Sequence, residues 1–164
     1  MKNVKLLIIL LLFLLLIGCV ATGTRFNESI AINSENNNVA TVILYRPTDW
    51  FGIGVSPTIY IDDIKKGTLS NGGFASIDLP LGTHTFSAKW NFLTRPFGTT
   101  DTEISLELKE NRAYFLRFGI IDRDFMIIGS PTLPGIVTGK FVFFNMEKQY
   151  ALKELGASNR VNWR

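Results

Sequence analysis

The chain has 164 residues, of which 46% are hydrophobic and 19% charged, and its 17 Lys and Arg residues exceed its 14 Asp and Glu residues by three. If a cleaved N-terminal segment removed Lys2 and Lys5, 15 basic residues would face 14 acidic ones, leaving a net charge of +1. This length accommodates one domain of ordinary size, and so small a charge argues against a nucleic-acid-binding protein.

The first predicted element is a targeting signal. Lys2 and Lys5 precede a thirteen-residue apolar run from Leu6 to Gly18, which is the order of regions in a secretory signal. A helix needs about 20 residues to cross the hydrocarbon core of a bilayer, so this run is too short. We therefore predict that residues 1–18 form a cleaved signal peptide.

The run ends in Leu16-Ile17-Gly18-Cys19, and this ending resembles the lipobox of bacterial lipoproteins. The resemblance implies that Cys19, the one cysteine of the chain, is acylated and becomes the first mature residue. Val20 replaces the Asp that marks inner-membrane retention in such proteins, which implies an outer-membrane location facing the periplasm. A plain secretory signal or an uncleaved anchor, with an incidental cysteine, is the alternative.

A flexible tether is predicted next. Residues 19–38 are polar, small and aperiodic, and a coil of this length has an r.m.s. reach of roughly 25 Å. The folded domain is then predicted to span residues 39–164.

From residue 39 onward, short β-branched or alternating runs indicate seven or eight strands. Alternation is clearest where Ile104, Leu106 and Leu108 are separated by polar residues. The predicted strands are Val39–Arg46, Thr58–Ile61, Gly67–Leu69, Phe74–Leu79, Thr83–Trp90, Thr102–Leu108, Ala113–Ile121 and Gly139–Phe144. Strands of this length and spacing predict a mostly β fold, an antiparallel β-sandwich or small barrel.

Turn residues separate these strands, and one helix follows them. The Asn71-Gly72 pair is typical of a tight hairpin. A C-terminal helix is predicted over Met146–Leu155, with Asn145 as its N-cap and Gly156 as its stop. Its apolar stripe is expected to cover a sheet, and binding of a partner helix is the alternative.

The segment Ala40–Trp90 carries a recognisable set of strand and turn residues. The set comprises Tyr45-Arg46-Pro47, Ile59–Asp63, Lys66–Leu69, Asn71–Phe74 and Leu79–Phe86. On these residues the segment resembles a family of uncharacterised bacterial lipoproteins, whose domain is similar to the PEGA-type β-sandwich modules of envelope proteins. The resemblance implies a sandwich fold and no catalytic residues. Asp63 stands where Gly is common, which predicts a longer first hairpin loop.

Few residues could carry catalysis or bind a metal. His84 is the one histidine, and it is expected to bond a turn carbonyl, with a metal site as the alternative. Asp62-Asp63 and Asp122–Asp124 are expected in turns, where Asp bonds its own backbone; calcium binding is the alternative. No nucleophile elbow or phosphate-binding loop is present. We expect no enzyme activity, no cofactor and no metal.

Three predicted loops, residues 50–55, 91–97 and 125–137, are unusually apolar and aromatic. They form either an exposed contact surface or the closure of the core at one end of the sandwich. The candidate contact residues are Trp50, Phe51, Arg95 and Phe97. We therefore predict a lipid-anchored, non-enzymatic envelope domain, held to the membrane through Cys19, whose loops contact another envelope component. A small-ligand or glycan-binding module with an aromatic cleft is the alternative.

Overall fold

The computed structural model describes residues 21–31, 38–52, 54–93, 95–96, 99–109, 112–126 and 136–163, with the backbone alone at 30–31, 124–126 and 136–138. Within these ranges the chain forms nine strands and two helices. In chain order they are α1 (Glu28–Ala31), β1 (Val39–Tyr45), β2 (Thr58–Ile61), β3 (Ile64–Thr68), β4 (Gly73–Pro80), β5 (Gly82–Lys89), β6 (Thr102–Leu108), β7 (Ala113–Met126), β8 (Ile136–Met146), α2 (Lys148–Leu155) and β9 (Asn159–Arg160). None of the described helices is long and apolar enough to cross a membrane.

The strands form two sheets, with the orders β8-β7-β1-β4-β9 and β3-β2-β5-β6. A single cluster of buried side chains from both sheets fills the space between them, so the predicted β-sandwich is confirmed. The pairing is not wholly antiparallel, however. β1 pairs with β7 and β4 pairs with β9 in parallel, because the chain visits the other sheet, or the helix, before returning beside the earlier strand.

β1 is buried on both faces. Val42 and Leu44 point into the core between the sheets, whereas Ile43 and Tyr45 lie on the opposite face beneath Ala151 and Leu155 of α2. The predicted sheet-covering role of the C-terminal helix is therefore confirmed. Burial on both faces also explains why Val42–Tyr45 of β1 is a continuous apolar run instead of an alternating one.

The helix begins later than predicted. Asn145 and Met146 still belong to β8, where they pair with Leu116 and Phe115, and Glu147 is the N-cap without a side-chain cap hydrogen bond. The predicted N-cap at Asn145 is therefore wrong, because sheet pairing extends through Met146. The helix ends at Leu155, followed by Gly156 as predicted.

Two turn predictions are also corrected. Asn71-Gly72 is not a hairpin turn, because β3 and β4 belong to different sheets and the turn carries the chain between them. Asp62-Asp63 closes the β2–β3 hairpin in two residues, both with positive φ (49° and 62°), so the predicted longer loop is wrong. Asp tolerates this left-handed conformation better than most residues, which lets it replace the usual Gly.

A third turn prediction fails at Asp122–Asp124. Asp122 has a positive φ of 49°, but it lies inside β7, where the pairing with β8 shifts register between Ile121 and Asp124. The segment is therefore a β-bulge in a long strand instead of a turn. β7 and β8 continue beyond it to Met126 and Ile136.

Residues 21–31 pack on the domain, which corrects the predicted tether at this segment. The side chain of Asn159 donates to the Ala21 carbonyl (3.0 Å), and the Phe26 amide donates to the Ser158 carbonyl (2.9 Å). The rings of Phe26 and Phe74 meet edge to face at 5.2 Å. Polar composition concealed this docking, because much of it rests on backbone hydrogen bonds. The predicted boundaries of signal, tether and domain stay predictions.

The sandwich has two ends, which we name by their connections. At the loop end, β1 stops at Tyr45, β4 starts at Gly73 and β5 stops at Lys89. At the turn end, β1 starts at Val39, β4 stops at Pro80 and β5 starts at Gly82. The described residues of two predicted apolar loops, 50–55 and 91–97, therefore lie at the loop end, and β7 and β8 extend in the same direction.

Candidate functional site

A buried arginine organises the loop end. Arg46, directly after β1, is 1% exposed, and its guanidinium donates to the carbonyls of Val55 (2.8 Å) and Gly52 (2.8 Å). Burial lowers the pKa of Arg46 to about 10, partly opposed by Asp49, so the group stays charged at neutral pH. One arginine thus fixes two points of the loop that follows β1.

The same loop requires glycine at position 52. Gly52 has a φ of +70°, and a Cβ there would lie 3.0 Å from a guanidinium nitrogen of Arg46. A larger residue would be strained and would crowd the cation. Sequence patterns gave no sign of this arrangement, beyond an arginine at the end of an apolar strand.

Asn71 and Asp49 tie this loop to the β3–β4 connection. The buried side chain of Asn71 accepts from the Asp49 amide (3.0 Å) and donates to the Asp49 carbonyl (2.9 Å). The Asp49 carboxylate accepts from the Phe51 amide (3.0 Å) and pairs with Arg123 of β7. Asn71 therefore matters for its side chain, which replaces a backbone partner, and not for a hairpin.

Stacked aromatic rings close the core beneath these loops. Phe141 lies 5.8 Å from Phe51, 5.3 Å from Phe118 and 5.1 Å from Trp90, measured between ring centroids. Arg46 lies 5.2 Å above the Phe141 ring, within cation–π distance. Phe51, one predicted contact residue, is only 7% exposed. Its role is to complete the core, so its prediction as a surface contact is wrong.

Other apolar side chains of the loop end are exposed. Trp50 is 64% exposed, Phe92 is 92% exposed and Leu93 is 86% exposed. Each interpretation of the apolar loops therefore holds for some of their residues. Phe51 and Trp90 fill the core, whereas Trp50, Phe92 and Leu93 face solvent. Phe92 and Leu93 were not among the predicted contact residues, although they lie in the same predicted apolar loop as Arg95.

Of the other predicted site residues, the structure describes Arg95 but not Phe97 or Cys19. Arg95 is exposed but bonds to Asp101 (2.9 Å), whose carboxylate also accepts the Trp90 amide (3.0 Å). Arg95 thus braces the second loop. Phe97 and Cys19 lie outside the described residues. The predicted third loop, 125–137, is shortened because its first and last residues belong to β7 and β8.

A ligand-sized cleft is not formed by the described loop-end residues around Arg46. The cavity there holds about 10 Å³ and is lined by Arg46, Asp49, Phe118 and Phe141, among others, which is room for about one water molecule. A larger open groove of about 540 Å³ lies at the turn end, between residues 112–115 and 145–148. That groove is not the predicted aromatic cleft.

At the turn end, His84 uses both ring nitrogens. Nδ1 lies 2.6 Å from an Asp62 carboxylate oxygen, and Nε2 lies 2.9 Å from the Pro80 carbonyl. The predicted bond to a turn carbonyl is confirmed. Burial lowers the pKa of His84, but the hydrogen bonds to Asp62 and Pro80 outweigh it and raise the pKa overall. The hydrogen bond from His84 lowers the pKa of Asp62. Within the described part of the chain, no three His, Cys, Asp or Glu residues cluster as metal ligands would.

The first described residue lies at the loop end. Ala21 is buried, and its Cβ lies 3.3 Å from the position that a Cβ on Gly73 would take. Gly72, the preceding residue, lies against Thr48, two residues before Trp50. The chain thus enters the domain near the loop that presents Trp50.

Comparison with known sequences gives one family. The model of a family described as "protein of unknown function (DUF2846)" matches residues 36–130, more than half of the chain. The chain belongs to this family. No curated protein and no solved structure gave a significant match.

The DUF2846 match confirms an uncharacterised domain, whereas the lipoprotein nature of the family and its likeness to PEGA-type modules stay predictions. The matched residues include β1 to β7. They exclude β8, although β8 supplies Phe141 and Phe143 to the core. The complete sandwich of this DUF2846 protein therefore depends on residues beyond the matched segment.

Proposed function

We propose that this DUF2846 protein is a lipid-anchored, non-enzymatic domain of the bacterial cell envelope, whose loop end contacts another envelope component. The Leu16-Ile17-Gly18-Cys19 ending carries the proposal, because it combines a short apolar run with the one cysteine of the chain. Each acyl methylene transferred into the bilayer contributes about 0.8 kcal/mol, so two or more chains give lasting attachment.

The role that fits this arrangement is tethering. An acyl anchor confines the domain to a thin layer at the membrane, which raises its effective concentration for neighbours. Contacts that are weak in solution then suffice. We place the anchored domain at the outer membrane, facing the periplasm, on the basis of Val20 after the modified cysteine.

The proposal of a non-enzymatic role draws on the described side chains. His84 has both ring nitrogens engaged by Asp62 and Pro80, so neither is free for proton transfer to a substrate. Acylation of Cys19 would remove the one thiol. Exposed aromatic residues at the loop end, in contrast, are typical of contact surfaces.

Replacement of Cys19 tests the proposal. Cells expressing the wild-type chain or Cys19→Ala are labelled with a radioactive or clickable fatty acid, and the protein is isolated. We expect the label and the cleaved form in the wild type, and an unlabelled, uncleaved precursor in Cys19→Ala. A matched Ser29→Ala variant, altered in α1, should be labelled and processed normally. Normal processing of Cys19→Ala would contradict the proposal.

A further inference from the structure

Three exposed apolar side chains mark one end of this molecule. Trp50 lies on the connection that follows β1, and Phe92 and Leu93 lie on the connection that follows β5, both at the loop end. Their neighbours Phe51 and Trp90 already complete the core. Trp50 meets the core ring of Phe51 edge to face at 6.1 Å but stays 64% exposed. Exposed apolar side chains grouped at one end of a domain are typical of a contact surface.

The path of the N-terminus identifies that surface. Ala21 packs against Gly73 at the loop end, and Cys19 lies two residues earlier. Two residues of extended chain span about 7 Å at most. The polar headgroup layer on each side of a bilayer is about 5–7 Å thick, from the difference between its total and hydrocarbon thickness.

We propose that the loop end rests directly on the bilayer that holds the anchor, with Trp50, Phe92 and Leu93 in the interfacial layer. This inference depends on the acylation of Cys19 proposed above. It names the envelope component at the loop end as lipid, because the short link leaves no space for a protein between Ala21 and the headgroups. Trp suits this position, since its indole combines an apolar body with a polar N–H group.

Two arginines of the loop end are engaged by acidic side chains. Arg95 is paired with Asp101, and Arg123 is paired with Asp49. These two arginines are therefore already neutralised within the domain. We expect the contact to form on vesicles of uncharged phosphatidylcholine and to depend little on salt.

Depth-dependent quenching of tryptophan tests the contact. The full acylated chain is reconstituted into phosphatidylcholine vesicles that carry bromine near the headgroup end of the acyl chains. Subtracting the emission of Trp50→Phe from that of the wild type isolates the signal of Trp50 from those of Trp90 and Trp163. We expect bromination to reduce this signal at least twofold, with a shift of the emission to shorter wavelength.

Tryptophan inserted at either end provides the matched comparison. In the Trp50→Phe background, Leu93→Trp places the probe at the loop end, and Leu81→Trp places it at a solvent-exposed site of the turn end, between β4 and β5. The eight residues of β5 separate the two ends by about 25 Å. We expect strong quenching of Leu93→Trp and unchanged emission of Leu81→Trp.

The outcomes separate this inference from the proposed function. Mass spectrometry of the same preparation reports whether Cys19 is acylated, and an unmodified cysteine would overturn both. An acylated chain whose Trp50 and Leu93→Trp signals are unaffected by bromine would overturn the lipid contact alone. If acrylamide reaches Trp50 in vesicles but not in native envelope fragments, the loop end binds a protein, and the lipid contact is likewise overturned.

Discussion

The two ends of the sandwich hold their strand connections in place in different ways, although the same strands run between them. At the turn end, the two-residue connection Asp62-Asp63 exchanges hydrogen bonds with Thr85 of β5, and His84 joins Asp62 to the Pro80 carbonyl. At the loop end, longer connections depend on side chains from elsewhere, mainly Arg46 and Asn71. The turn end is therefore organised by contacts between neighbouring strands, whereas the loop end is organised by buried side chains that bond to its loops.

The difference also extends to what each end exposes. Ile64 and Leu81 are exposed near the turn end as single apolar side chains, which is ordinary for a protein surface. The loop end exposes Trp50, Phe92 and Leu93 over a core that is already closed. Because buried side chains hold the loops of this end in place, it can expose apolar residues and keep its shape. This property suits a contact surface.

The largest expected effect is at the aromatic stack. Phe141→Ala removes the ring shared by Phe51, Phe118 and Trp90, and should lower the free energy of unfolding by about 4 kcal/mol. Phe92→Ala, at an exposed position of the same end, should change it by less than about 0.5 kcal/mol. Urea unfolding measures both. Equal losses in the two variants would remove the distinction between filling and exposed rings.

The second prediction concerns the buried cation. Arg46→Ala removes the donor of the Val55 carbonyl and leaves the Gly52 carbonyl only the Val55 amide, and it should cost about 3 kcal/mol in urea unfolding. Arg46→Lys keeps a charge but loses the planar fork that reaches both carbonyls, so we expect an intermediate loss. Full stability of Arg46→Ala would show that the loop holds its shape without the arginine.

The third prediction concerns Asn71. Asn71→Ala removes both hydrogen bonds to the Asp49 backbone and should cost about 2 kcal/mol. Because the loop after β1 then loses its tie to the β3–β4 connection, amide hydrogen exchange of residues 49–52 should quicken. Asn91→Ala, in an exposed loop, is the control and should leave exchange at residues 49–52 unchanged. Unaltered exchange in Asn71→Ala would contradict this role.

The smallest effect is expected at the turn end and depends on pH. The pKa of His84 is raised above 6.5, so its stabilisation is complete below that pH and is lost as pH rises through the folded value. The pKa of Asp62 is lowered below 3.8, so its stabilisation is lost only as pH falls through that lowered value. The pair therefore contributes most near pH 5, by about 1 kcal/mol or less.

His84→Gln measures this contribution. Thermal unfolding of the wild type and the variant should differ most near pH 5 and progressively less towards pH 9. Loop-end variants such as Phe92→Ala should show no such dependence. A difference between wild type and His84→Gln that grows with pH would reverse the sign assigned to the pair.

Local sequence patterns predicted much of the fold. The strand Thr102–Leu108 alternates cleanly, because it has one buried face, and its bounds agree with the structure. The β-branched strand Thr58–Ile61 was also placed correctly. Patterns failed where a residue's role depends on distant partners: Asn71-Gly72 has the chemistry of a hairpin turn but connects two sheets, and Asn145 suits an N-cap but remains paired in β8.

The candidate site was predicted only in part for the same reason. Apolar loops indicated that the loop end is special, and Trp50 is exposed as expected of a contact residue. Local sequence could not separate Trp50 from Phe51, because the burial of Phe51 depends on Phe141, ninety positions away. Likewise, no local pattern distinguishes a buried Arg46 from a solvated one.

The mass of the mature N-terminal peptide tests the proposed anchoring most directly. The protein is purified from envelopes of cells that make it at native level, digested, and its N-terminal peptide is analysed by mass spectrometry. We predict a peptide that begins at Cys19 and carries acyl chains on its sulfur and its amino group. A peptide with an unmodified Cys19, in either a cleaved or a full-length chain, would contradict the proposal.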